Sequence, residues 1–291
     1  MNELSGMKLD LFEIAGQNAK RIENHYKEIE RQNRTEDGTS LFDEFVDFVK
    51  NKWALSINVR QWDINSFLIS GEYKNMYQAI KDDLKELNIE RNLDISIEEA
   101  AKKRMGIHFE KRKIFENQFE DSERFKYAAF NIGGLGLKKY GSFSLIIAQK
   151  EVEKLSSCAF LEKESIRYVD DNHLNIKKLK KDATDRKTVH LLAAVKNEKE
   201  LQGSAKEKWP EMVCNEKNYI EAVTKDEISV NYIDTVRVSK DSHDMYFNYL
   251  YKAYSSQLDE SEKRQLGAYK DMLKLLEKNR INKEIVDERG T

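Results

Sequence analysis

Gly133-Gly134-Leu135-Gly136-Leu137-Lys138-Lys139-Tyr140-Gly141 runs directly into Ser142-Phe143-Ser144-Leu145-Ile146-Ile147-Ala148. Four of the chain's 12 glycines lie in the first nine of these residues. The apolar run that follows is short and partly β-branched, which predicts a buried strand. The glycines read as a flexible entry to that strand, because they lack the strand–turn–helix context of a nucleotide loop. Three further strands are expected downstream, at Val189–Val195, Tyr219–Val223 and Tyr232–Val238, the last with clean alternation. Thr224 to Asn231 is a polar connection between the last two. Between the first two lies a basic segment, Asn172 to Thr188, with Lys177, Lys178, Lys180, Lys181, Arg186 and Lys187 against Asp182 and Asp185.

On either side of this middle the periodicity is helical. Leu9, Phe12, Ile14, Ala15, Ala19 and Ile22 recur at helical spacing. Ser40-Leu41-Phe42-Asp43 has the Ser-x-x-Asp form of a capping box, in front of Phe45, Val46 and Val49 on one face. A helix is expected over Tyr73–Leu87, and another starting at Ser96 with Glu99 in the capping-box position. From Asp241 onward the chain reads as helical again. Ser256 to Asp259 caps a last helix with a Leu266, Tyr269, Leu273, Leu276 stripe, and Asn282 to Thr291 reads as a frayed tail. The expected fold class is therefore α+β: a helical N-terminal region (1–100), a mixed-sheet core (101–240) and C-terminal helices (241–291).

Composition agrees. With one Pro and 12 Gly in 291 residues, usage is well below the ordinary levels of about 5% and 7%, so a sandwich or barrel with a turn at every corner is excluded. Aromatic residues at 10% argue against disorder. No apolar run is long enough to span a bilayer, and Met1-Asn2-Glu3-Leu4 lacks the basic start and apolar core of a secretory signal. No membrane partner is expected. The net charge of -2 gives no global attraction to polyanions. Cys158 and Cys214, far apart and without CxxC neighbours, read as reduced thiols. The five histidines show no metal-ligand spacing, so no metal is expected.

No P-loop, HExxH, GxSxG or cysteine-protease signature occurs. What remains is Glu221, a carboxylate inside the apolar run Tyr219-Ile220-Glu221-Ala222-Val223, on the same strand face as Tyr219 and Val223. Such a carboxylate is exposed, paired with a lysine, or held beside a pocket where it stabilises positive charge developing on a sugar ring. Arg104 and Arg112, in the basic segment before the glycines, and Arg60 are candidate pyrophosphate ligands.

The order of these pieces resembles the ADP-ribosyltransferase fold, especially its toxin-like and phage-associated members, over roughly residues 60 to 240. The resemblance rests on Lys139-Tyr140-Gly141-Ser142-Phe143-Ser144-Leu145, then Val169-Asp170-Asp171-Asn172, then Asn218-Tyr219-Ile220-Glu221-Ala222, and then Ser229 to Val238. Upstream, Ser70 to Tyr77 looks like the helix before the first core strand. The resemblance implies a core of that type and NAD as substrate. Glu221 would be the catalytic glutamate beside the nicotinamide-bearing ribose. Arg112, or Arg104 in its place, would contact the phosphates. Ser142 and Ser144 would stand for the Ser-Thr-Ser strand of the nicotinamide pocket, with Tyr140 and Tyr219 also around NAD. Tyr219 stands where many members carry the Glu or Gln that engages the acceptor, so a protein-arginine target is not implied.

The expected function is an NAD-dependent ADP-ribosyltransferase toxin or effector, a glycosyltransferase acting on a protein or nucleic-acid target. It would work in the cytoplasm or be delivered into a target cell's cytosol, with an antitoxin or immunity protein as a further partner. The alternatives are a non-enzymatic phage- or defence-related interaction protein working through charged helices, and a nucleic-acid-directed transferase using the Lys177–Lys187 run.

Overall fold

A computed structural model of the chain describes residues 8–34, 40–86 and 93–287. In chain order the elements are α1 (Leu11–Gln32), α2 (Leu41–Lys52), β1 (Ala54–Val59), α3 (Gln61–Ser70), α4 (Met76–Glu86), α5 (Leu93–Met105), α6 (Phe109–Glu116), β2 (Lys126–Asn131), β3 (Phe143–Ala148), α7 (Gln149–Val152), β4 (Ala159–Leu161), β5 (Val169–Asp170), β6 (His173–Leu174), α8 (Ile176–Asp182), β7 (Ala183–Asp185), α9 (Val189–Lys196), α10 (Glu198–Leu201), α11 (Trp209–Val213), β8 (Glu221–Thr224), β9 (Ile233–Ser239), α12 (Lys240–Tyr254), α13 (Glu260–Lys278) and β10 (Asn282–Val286). The fold is α+β. Eight strands form one mixed sheet in the order β10-β9-β3-β1-β2-β8-β4-β7, while β5 and β6 make a small hairpin. Neighbours are antiparallel except β10 and β9, which run parallel.

The strands expected at 142–148, 219–223 and 232–238 are β3, β8 and β9. The expectation at Val189–Val195 is overturned, because these residues form α9. Val189, Leu192, Ala193 and Ala194 are all buried, so the helix is apolar nearly all round, and periodicity alone does not separate that from a buried strand. Asn197 ends α9 by donating its side-chain amide to the Ala193 carbonyl at 2.8 Å. Residues 54–59, inside the stretch read as helical, form β1 near the middle of the sheet. Leu55, Ile57 and Val59 alternate there with Ser56 and Asn58, which is the period of a strand. The expected fray at 282–286 is instead β10, held by its ladder to β9 and by an Arg237–Glu284 ion pair of 2.7 Å.

Helix starts follow the cap chemistry with two adjustments. Ser40 caps α2 by accepting the Phe42 N–H at 3.2 Å, but the Asp43 carboxylate is taken by the Tyr26 hydroxyl at 2.6 Å, so the box does not close. Ser96 lies inside α5 rather than at its start. The last helix does carry a full capping box, Asp259 with Glu262.

One face of the sheet is apolar and contiguous. Leu55, Ile57, Val59, Phe130, Phe143, Leu145, Ile147, Phe160, Ala222, Val236 and Val238 pack there with the inward faces of α2, α3, α9, α12 and α13. The other face is split. Its β8–β4–β7 end is covered by α1 and α6 through Leu11, Ile14, Phe115 and Phe119 against Leu161, Ala183 and Val223. Asn18 of α1 donates its amide to the carbonyls of Lys181 and Ala183, which covers the edge strand β7. In the middle of this face the side chains turn small and polar. A separate small cluster of Ile80, Ala101 and Phe109 joins α4, α5 and α6 across the gap. No described helix is long and apolar enough to cross a membrane.

Candidate functional site

The floor of the gap is a row of residues facing one another across four strands. Leu161 of β4 stands opposite Glu221 of β8, Glu221 opposite Ala129 of β2, and Ala129 opposite Ser56 of β1. Ala129 and Ser56 are too small to fill the space that Glu221 borders. The result is a cavity of about 470 Å³ between the sheet and the α4–α5–α6 layer, closed at its mouth by the segment Leu137–Tyr140 and by Glu164.

Glu221 is 3% exposed. Its Oε2 accepts the Ser165 N–H at 2.6 Å, and its Oε1 lies 3.4 Å from Arg112 Nη2. Burial raises the Glu221 carboxyl above the usual range, against the opposing pull of Arg112 and Ser165. Arg112 is itself 8% exposed, and its guanidinium carbon lies 3.7 Å from the centre of the Tyr127 ring. Burial opposes its charge, but Tyr127, Glu221 and Glu116 outweigh that and keep it protonated. One helical turn on, Glu116 accepts from the Tyr127 hydroxyl at 2.8 Å and the Tyr77 hydroxyl at 3.0 Å. Burial raises Glu116 as well, against Arg112 and the two hydroxyls. One buried guanidinium thus faces two buried carboxyls. Arg112 keeps Nε and Nη1 without a hydrogen-bond partner, and the Tyr219 hydroxyl is buried against that of Tyr140.

At the mouth the chemistry changes sign. Arg60, Arg104, His108 and Lys139 line the cavity and are exposed or half-exposed, with Arg104 paired to Asp83 at 2.7 Å. The Lys139 ammonium sits 4.9 Å from the Tyr140 ring centre and 5.4 Å from that of Tyr219. The Tyr140 hydroxyl donates to Glu164 Oε1 at 3.1 Å. Burial and neighbouring carboxylates raise the Tyr140 and Tyr219 hydroxyls far above their ordinary value, so both stay protonated.

The glycine segment is not a flexible entry to β3. Asn131 Oδ1 accepts from the Gly133 and Gly134 N–H groups, each at 2.9 Å, and Arg237 donates to the Gly134 carbonyl at 2.9 Å. Asn58 donates to the carbonyls of Leu135 and Gly141 and accepts the Leu137 N–H. Gly136, at φ +88°, lies so close over β1 that a Cβ there would strike the Asn58 and Ser56 side chains. The loop is strapped down, and this fixes where Lys139 and Tyr140 stand.

Of the residues singled out in the sequence, Arg112, Tyr140, Tyr219 and Glu221 line this one cavity, as do Arg60 and Arg104. Ser142 and Ser144 do not. Ser142 precedes β3, and Ser144 lies on β3 opposite Asn58, beyond β1 from Glu221. Arg112 is on α6 rather than on a strand. Lys177, Lys178, Lys180 and Lys181 belong to α8 and Lys187 follows β7, and all lie outside the cavity. The residues not foreseen are Ser56, Asn58, Glu116, Tyr127, Lys139, Glu164 and Ser165. Two signals pointed to some of them. Glu116 falls four residues after Arg112, on the same helical face. Tyr127, Ala129 and Asn131 alternate with Ala128 and Phe130 as a strand does. Among the described residues no group of three or more His, Cys, Asp or Glu side chains is arranged to hold a metal ion. Cys158 and Cys214 are buried and form no disulfide, and burial pushes the Cys158 thiol up to about 12.

Compared with family models, curated proteins and solved structures, the chain matches none of them significantly.

Proposed function

We propose that the protein is an NAD-dependent ADP-ribosyltransferase toxin or effector, with Glu221 as its catalytic residue. The observation that carries the reading is the division of charge within one cavity. Its buried end holds two carboxyls, one guanidinium and the aromatic rings of Tyr127 and Tyr219. Its mouth holds Arg60, Arg104 and Lys139. A ligand with a cationic aromatic ring at one end and a diphosphate in its middle fits that gradient. The orphaned Nε and Nη1 of Arg112 offer donors to its polar groups.

On this reading Glu221 stabilises the positive charge that grows on the ribose ring as the bond to nicotinamide breaks. It acts from a water-poor floor, where a fixed carboxylate is worth more than in solvent. Arg112 holds that carboxylate in place and opposes the rise that burial causes. The diphosphate falls to Arg60, Arg104 and Lys139 at the mouth. Labelled NAD incubated with the protein and a cell lysate tests the proposal. Wild type is expected to leave label on macromolecules, and Glu221→Gln to cut that label about 100-fold or more. Equal labelling by the two proteins defeats it.

A second reading, a non-enzymatic interaction protein, is favoured by α12. Phe247, Tyr251 and Tyr254 repeat at i, i+4 and i+7 and are 64%, 76% and 89% exposed. Calorimetry finding no NAD binding at millimolar concentration favours this reading over the enzyme.

A further inference from the structure

Transfer of a ribosyl group needs more than stabilised charge. The nucleophile that attacks the sugar carbon must lose a proton, and some group has to take it. Glu221 is badly placed for that task. Oε2 is held by the Ser165 N–H at 2.6 Å and Oε1 faces Arg112, so each oxygen already serves a buried donor. Glu116 is no better, since both its oxygens accept tyrosine hydroxyls and it lies beneath Arg112.

Glu164 differs in each respect. It lines the same cavity, at the mouth rather than the buried end, where an incoming molecule arrives first. It directly precedes Ser165, whose N–H grips Glu221, so the two carboxylates are registered to one another by a single peptide. Only its Oε1 is engaged by a described residue, the Tyr140 hydroxyl, which leaves Oε2 available. Tyr140 in turn stands on the loop that Asn58 straps to β1, so the base is held from a rigid element. Tyr219, 6% exposed and with its hydroxyl against that of Tyr140, lines the same cavity beside them.

From this geometry we infer that Glu164 is the general base that deprotonates the acceptor. The step balances as follows. The bond between the ribose anomeric carbon and nicotinamide nitrogen breaks, and its electron pair leaves with neutral nicotinamide. An oxygen or nitrogen of the acceptor, or of water, forms the new bond to that carbon. The proton it carried passes to Glu164 Oε2.

This inference rests on the proposed transferase reading, and release of labelled nicotinamide from NAD separates the two. Wild type, Glu164→Gln, Glu164→Ala and Glu221→Gln are compared, with NAD affinity measured by calorimetry. Glu164→Gln is expected to lose about 100-fold in kcat with NAD affinity unchanged within about threefold. Sodium formate is expected to restore a measurable part of the rate to Glu164→Ala. A Glu164→Gln rate within about threefold of an active wild type overturns the role of Glu164 and leaves the transferase reading standing. So does a loss matched by an equal loss of NAD affinity. A wild type that neither binds nor cleaves NAD removes both.

Discussion

Glu221 and Arg112 show how one residue's meaning depends on its partner. In the sequence, Glu221 is a carboxylate interrupting an apolar strand, and pairing by a lysine is one of its readings. The partner is instead Arg112, which the resemblance assigns to the ligand's phosphates. Nothing local links positions 112 and 221, because they meet through the stacking of α6 on β8. Removing one member of a buried pair strands the other's charge. Arg112→Met is therefore expected to cost about 3–5 kcal/mol of stability in urea denaturation. Glu221→Gln added to it is expected to recover a good part, a positive coupling that an additive result rules out. The raised Glu221 carboxyl sets the sign of the pH response. The folded state binds its proton more tightly than the unfolded chain does, so this contribution is present in acid and is lost as pH rises through the folded value. Arg112→Met, which takes away the counter-charge, is expected to steepen that loss.

At the scale of elements, legibility followed how far an element's neighbours are visible in its own sequence. β3, β8 and β9 alternate or run apolar between polar connections, so each reads directly, whereas the last helix starts at an Asp259–Glu262 box and not at Ser256. β1 reads poorly, despite its alternation, because it is only six residues set between helical stretches. α9 reads wrongly because burial on every side removes the polar face that marks a helix. That burial has a measurable trace. His190 of α9 faces Lys50 and Asp47 of α2, and burial, with Lys50, pushes it down from 6.5 to about 4. Between those values the unfolded chain binds the proton and the folded chain does not. Stability is therefore complete above about pH 6.5 and lost as pH falls toward 4. The effect is roughly 2–3 kcal/mol at most. Denaturation of His190→Gln between pH 4 and 7 is expected to be flatter than that of wild type. Parallel curves mean that His190 is not the group responsible.

For the whole molecule, the mixed sheet was legible as a class and the cavity was not. The cavity exists because Ser56, Ala129 and Glu221 are brought abreast by register between strands far apart in the chain, and no window of sequence contains that register. The C-terminal strand has a similar long-range role. Lys283 and Glu284 on β10 place charges at the outer edge of the sheet, which discourages pairing with other chains. A chain ending at Ile281 leaves β9 as the edge, with Val236 and Val238 beside it. It is expected to melt several degrees lower and to scatter light on warming. An unchanged melting temperature shows that β10 contributes nothing.

The place of β1 in the sheet also bears on how the protein is made. β1 leaves the ribosome early, yet both of its neighbours, β2 and β3, are translated well after it. For that interval a strand with two open edges and one apolar face has the neighbouring helices α2 and α3 to lean on. Their apolar stripes, Phe42 and Phe45 among them, therefore serve the nascent chain as a temporary cover before they serve the finished core. Synonymous changes that slow translation between residues 60 and 125 lengthen that exposure. They lower the yield of folded protein while leaving every contact in it the same.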